Sequence, residues 1–219
     1  MRAGRVHANY CGVTRRIARC AHNRRERFFM SDADATTKGA ILRSLLKFIE
    51  GDLTAAQRDA AIADLPEADR AIVTRKAILA SEKVPEGTLN RLTAAAAKAK
   101  GEMLDPFGRR AGAAELRDAV GVYRFFTIVM TPTALLKKAS SLWSTVHSHG
   151  AMLVENVTDD SARIRLSSFP SEAAHCARLT GWMEGLGDMT GVKTVSVDHD
   201  VCMTRGGADC QWQLQWTKK

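Results

Sequence analysis

Apolar residues recur at helical spacing from Thr37 to about His149, after which the period changes. Ile41, Leu42, Leu45, Leu46 and Ile49 form one stripe, the mark of an amphipathic helix. Thr54 followed by Gln57 predicts a capping box at the start of the next helix, and Pro66 punctuates that helix's end. Further helices are expected over 68–82, 87–100, 113–122 and 132–148, with Asp105-Pro106-Phe107-Gly108-Arg109-Arg110 as the clearest interior loop. The Ala94-Ala95-Ala96-Ala97 run is good helix-forming sequence that permits close packing.

Beyond Gly150, the stretches 152–157 and 162–166 flank the turn signal Thr158-Asp159-Asp160-Ser161 and predict a hairpin. A helix is expected from Ser171 to about Leu186. A second hairpin follows, with strands over 194–201 and 210–216 joined through Gly206-Gly207. The expected class is therefore α+β: a helical N-terminal half, then a ββαββ antiparallel sheet. Residues 1–35 read as a basic extension, with Met30 as an alternative start, and residues 36–219 as a single domain.

Charge changes the picture in one place. Residues 1–29 hold eight arginines against the single acid Glu26, so the remaining 24 basic and 23 acidic side chains nearly balance and the formal +8 belongs to the extension. A nucleic-acid surface spread over the folded body is thus not expected. Arg24-Arg25-Glu26-Arg27-Phe28-Phe29 mimics a twin-arginine export signal but lacks the apolar stretch that should follow. Apolar runs such as 122–130 are too short to span a bilayer. Five cysteines, an odd number, without a secretory signal point to a reducing compartment, by default the cytoplasm.

The chemistry concentrates near the C-terminus. Cys176 lies on the apolar stripe shared with Leu179, Met183 and Leu186, and Cys210 shares a strand face with Trp212, Leu214 and Trp216, so both thiols face inward. His199 and Cys202, three apart, would point to opposite faces of an uninterrupted strand, so a bulge or strand end must lie between them. Cys176, His199, Cys202 and Cys210 then form a Cys3His set for a tetrahedral structural zinc. Asp198 and Asp200 are alternative oxygen donors, but thiolate-rich surroundings favour zinc with a nitrogen fourth ligand. His147 and His149 read as helix-closing residues, and His175 as a weaker ligand candidate because its neighbour takes the inward direction.

Tyr123, Phe125, Phe126, Leu135, Trp143, Leu153, Trp182 and Met183 are the candidate lining of an apolar ligand pocket, and each would serve equally in an ordinary core. No nucleophile–base pair, phosphate loop or carboxylate pair stands at catalytic spacing, so an enzyme is not expected.

From about Thr37 to Trp216 the chain resembles the myxobacterial paralogous family of uncharacterised proteins. The resemblance runs through Lys38-Gly39, Arg43-Ser44-Leu45-Leu46, Gly121-Val122-Tyr123-Arg124, Ser141-Leu142-Trp143, His175-Cys176, Gly181-Trp182 and the closing H-x2-C-x7-C-x-W stretch. More distantly, the C-terminal half is similar to the four-vinyl-reductase domain, the sensor of aromatic-responsive transcription activators, related to haem nitric-oxide sensors and TRAPP transport subunits. The resemblance implies a twisted antiparallel sheet packed with helices around an apolar pocket, and zinc held through three cysteines and a carboxylate, in whose place His199 stands here. No haem-ligand motif is apparent. The expected function is a non-enzymatic, zinc-stabilised domain that binds a small apolar molecule and signals to a protein partner or a second copy. The alternative is a docking or dimerisation module without a small-molecule ligand.

Overall fold

The computed structural model describes residues 35–120, 130–190 and 192–218. Strand β1 (Thr36–Lys38) leads directly into α1 (Gly39–Asp52), which buries Leu42, Leu45 and Ile49 from the expected stripe. Helix α2 (Ala55–Ala63) begins at Thr54 with the capping box in place, and α3 (Glu67–Val73) follows Pro66. Strand β2 (Lys83–Pro85) pairs antiparallel with β1, and α4 (Glu86–Lys100) and α5 (Leu104–Val120) complete the helical half. Next come α6 (Pro132–Val146), the strands β3 (Ala151–Glu155) and β4 (Ser161–Ser167), α7 (Ala173–Glu184) and the one-turn α8 (Leu186–Met189). Strands β5 (Val192–Val201) and β6 (Cys210–Lys218) close the chain. The described residues gather into one compact unit.

Two expectations are corrected. Residues 74–82 are not helical, because α3 stops at Val73. The segment runs instead past the start of α1, where the amides of Gly39 and Ala40 donate to the carbonyls of Glu82 (2.7 Å) and Ala80 (3.1 Å). Those amides lack intrahelical acceptors, and pairing of β2 with β1 overrides local helix propensity.

Nor is 105–110 a loop; it is the first part of α5. Pro106 sits in the first helical turn, where a missing amide proton costs nothing. Gly108 serves close contact rather than a turn, since a Cβ there would lie 2.6 Å from that of Ala177. A Cβ at Gly112 would overlap the carbonyl of Arg178, and one at Gly181 would overlap that of Arg109. Helices α5 and α7 therefore meet backbone to backbone.

The four-stranded sheet has the order β3-β4-β6-β5, all antiparallel. This is an α+β architecture with a helical first half; α8 and the β1–β2 pair are additions to the expected order. The inner face carries Met152, Ile164, Leu166, Trp212 and Leu214, all buried. The outer face carries a polar network in which Arg163 reaches Gln211 (2.8 Å) and Asp200 (3.0 Å), and Arg165 reaches Glu155. Helix α7 lies between that inner face and the helical half, so nearly all its residues are buried. Among the described residues no helix is long and apolar enough to cross a membrane.

Candidate functional site

Two features meet on α7. On its sheet side Cys176 approaches the end of β5 and the start of β6. Along β5, Asp198 stands opposite Gln213 and Val201 opposite Gln211, so three steps on β5 face two on β6. That bulge breaks the two-residue alternation and lets His199 and Cys202 turn to one point. The sulfurs of Cys176, Cys202 and Cys210 form a near-equilateral triangle, with separations of 3.9, 3.8 and 3.9 Å. A tetrahedral centre with metal–sulfur bonds of about 2.3 Å requires sulfurs about 3.8 Å apart. The ligand atoms of Cys176, His199, Cys202 and Cys210 all lie within 4.8 Å of one another.

The surroundings suit a cation. His199 stacks on Trp212 with ring centroids 4.3 Å apart, Arg205 holds its carbonyl, and its buried Nε2 finds no protein partner. The Met203 amide donates to the Cys210 sulfur (3.4 Å), and the Thr204 hydroxyl lies 3.0 Å from that of Cys202. The Cys210 thiol is lowered: the bond from the Cys176 thiol, with that from the Met203 amide, outweighs burial. The Cys176 thiol is raised, by its bond to Cys210 and then by burial. The four donors together could supply a closed Cys3His shell to a metal cation. Asp198 and Asp200 stay outside the shell, with Asp200 bound to Arg163 on the outer face.

On its other side α7 borders a cavity of about 230 Å3. Ile41 of α1, Ala119 of α5, Leu142, Trp143 and Val146 of α6, Met152 of β3, and Leu179 and Trp182 of α7 form its apolar wall. The polar part consists of Glu115, His147, His175 and Arg178. Behind them sits Glu86, 2% exposed at the start of α4. Its Oε1 accepts from His175 Nδ1 (3.0 Å) and Arg178 Nη2 (2.8 Å), and its Oε2 lies 3.7 Å from His147 Nδ1. Arg178 also donates to Glu115 (3.3 Å).

Burial alone would raise Glu86, but the two imidazoles and the Arg178 guanidinium hold its carboxyl well below the usual range. Burial dominates at Glu115 and pushes it up to about 7, with Arg178 opposing and Glu86 reinforcing. Burial likewise lowers His175, against the pull of Glu86.

Of the pocket residues expected from sequence, Trp143 and Trp182 stand on the wall. Met183 does not: it is fully buried in the core between α7 and the sheet, as is Leu135 in that same core. Leu153 is 40% exposed, because alternation along β3 sends Met152 inward and Leu153 out. Tyr123, Phe125 and Phe126 lie outside the described residues, as do Cys11 and Cys20. His147 does follow α6 as its cap, but its ring stacks on Trp143 (4.0 Å) and faces Glu86 instead of the helix carbonyls. The charged wall escaped sequence reasoning, although Arg178 and His175 interrupt an otherwise apolar helix at a spacing of three, the pattern of paired buried charge.

No family model matches the chain, and no curated protein matches it. Solved structures do. An H-NOX protein from S. oneidensis in the Fe(II)NO ligation state superposes with a TM-score of 0.63 at 13% identity, covering 83% of this chain and 99% of that one. An oxygen-binding H-NOX domain related to soluble guanylate cyclases gives 0.61 at 14% identity, over 82% and 94%. A structure from work on haem distortion in the H-NOX family gives 0.63 at 14% identity, also over 82% and 94%. At this identity the likeness establishes an H-NOX-like fold.

Proposed function

We propose that this chain is a non-enzymatic sensory domain, clasped by a structural zinc, that binds a small apolar molecule and passes its occupancy to a protein partner or a second copy. Within this reading it belongs with the myxobacterial paralogues and their four-vinyl-reductase-like relatives, and the three free thiols among the described residues suit a reducing cytoplasm. The observation that carries the reading is the cavity between α1, α5, α6, β3 and α7, apolar over most of its wall and charged at one part.

The haem of the structural relatives does not fit this wall. The cavity, at about 230 Å3, falls below the roughly 300–1,000 Å3 of ordinary small-molecule sites. The Arg178 guanidinium, which would meet a haem carboxylate, is already engaged by Glu86 and Glu115. A molecule of one or two rings, or a short branched chain, suits the space.

A thermal-shift screen of neutral apolar compounds tests the reading. A ligand bound only by the folded state stabilises it by about 2.7 kcal/mol at a hundredfold excess over Kd. At least one class of compound is expected to raise the melting temperature in proportion to log concentration. A flat response throughout would favour the docking module instead.

A further inference from the structure

The charged part of the cavity holds four polar atoms without a hydrogen bond: Glu86 Oε2 and His147 Nδ1, which face each other at 3.7 Å, and two more that face no opposite charge of their own. Arg178 Nε and His175 Nε2 are buried, belong to residues each 4% exposed, and find no hydrogen-bond partner among the described residues. Both residues line the cavity. Buried polar groups left unbonded are uncommon and call for an explanation, of which a ligand is one.

Their chemistry is complementary. Arg178 Nε can only donate, since Nη1 and Nη2 are committed to Glu115 and Glu86. His175 Nδ1 faces the Glu86 carboxylate and carries its proton there, which leaves a lone pair at Nε2. One donor and one acceptor therefore stand on successive positions of the same α7 face, one turn apart.

We infer that the cavity selects an apolar molecule bearing a single neutral hydroxyl, which accepts from Arg178 Nε and donates to His175 Nε2. This rests on the ligand-binding reading above and narrows it. A carboxylate would accept from Arg178 but bring a second negative charge beside Glu86, whose charge Arg178 already meets, and would have no proton to donate to His175 Nε2. An ammonium could donate to His175 but would face Arg178 at close range and leave Nε unpaired. A plain hydrocarbon would leave both atoms as they are. The hydroxyl satisfies each atom and adds no charge.

The test is a matched series on the full chain: cyclohexylmethanol, methylcyclohexane, cyclohexanecarboxylate and cyclohexylmethylamine, read by calorimetry and thermal shift. The alcohol is expected to bind about tenfold or more tightly than the hydrocarbon and both ions, the scale of one or two net hydrogen bonds. Arg178→Lys keeps a positive charge opposite Glu86 and Glu115 but withdraws the Nε donor, and should bring the alcohol down to the hydrocarbon's affinity. Ala139 of α6 also lines the cavity; Ala139→Leu narrows it without touching its polar groups and should abolish binding of the alcohol. Equal binding of all four probes, preference for an ion, or alcohol binding untouched by Ala139→Leu would overturn the hydroxyl assignment. In the first two cases the cavity still binds, so the broader reading survives. Failure of every probe and of the wider screen would remove both.

Discussion

Glu115 is the group whose titration should be visible in the stability of the whole domain. Buried against Arg178 and within reach of the Glu86 charge, its carboxyl is pushed up to about 7 from an ordinary 4.5. At about 1.36 kcal/mol per pKa unit, that difference corresponds to about 3 kcal/mol. Between pH 4.5 and 7 the unfolded chain has released this proton while the folded chain retains it, so the folded state binds more protons and stability falls as pH rises. Below that window the group has no effect, and above it the loss is complete. Glu86 works in the opposite sense: its depressed carboxyl contributes stability above its unfolded value, lost as pH falls through the folded one.

Glu115→Gln keeps a carbonyl for Arg178 and removes the titration, while leaving Glu86 and every other group in place. Urea unfolding of both proteins at pH 5, 6, 7 and 8 isolates the effect in the difference between them. The wild type should lose about 2–3 kcal/mol relative to the variant across that range, with most of the change completed near neutrality. A difference that stays flat with pH, or in which the wild type gains, would refute the placement of Glu115 as a buried acid.

Two further outcomes follow from the packing and the metal shell. Purified protein should contain about one zinc per chain, and Cys202→Ser or Cys210→Ser should lose both the metal and cooperative unfolding. Structural zinc sites contribute an apparent ~10–16 kcal/mol, as much as a whole domain's net stability. Elemental analysis beside thermal melting checks this, and metal-free wild type whose melting matches the serine variants would reduce the cysteines to packing. Gly112→Ala, whose new Cβ must overlap the Arg178 carbonyl, should destabilise by about 3 kcal/mol or more, whereas Gly51→Ala, with open space around it in α1, should stabilise by about 0.5–1 kcal/mol. Denaturation midpoints of the two variants separate close helix contact from simple helix propensity.

How much of this was legible in the sequence depended on whether a signal was local. The Thr54 capping box, the apolar stripe of α1 and the alternation of β6 are each decided within a few residues, and each stands where the pattern places it. The bulge between Asp198 and Val201 was legible for a different reason: His199 and Cys202, three apart, cannot both face one centre from an unbroken strand, so the chemistry demanded an irregularity there. The failures have one cause, long-range packing and pairing that override local signals. Gly108, beside Pro106, has the appearance of a turn, yet its missing Cβ is what lets α5 press on Ala177. Residues 74–82 have helical composition, but the amides of α1 and the strand β1 claim their backbone.

The polar part of the cavity lies further still from local reading, because Glu86 is 89 residues from His175 and 92 from Arg178. What the sequence does carry is the adjacency of His175 and Cys176. On a helix, neighbouring residues point about 100° apart, so one addresses the cavity and the other the metal shell. Any ligand that reorients Arg178 or His175 thus acts on the helix turn that holds Cys176. Because α7 is welded to α5 by Gly108, Gly112 and Gly181, that turn cannot shift without moving both halves of the domain. On the sensory reading proposed above, the rigid backbone contact and the two sites on one helix would be the physical route from an occupied cavity to the surface.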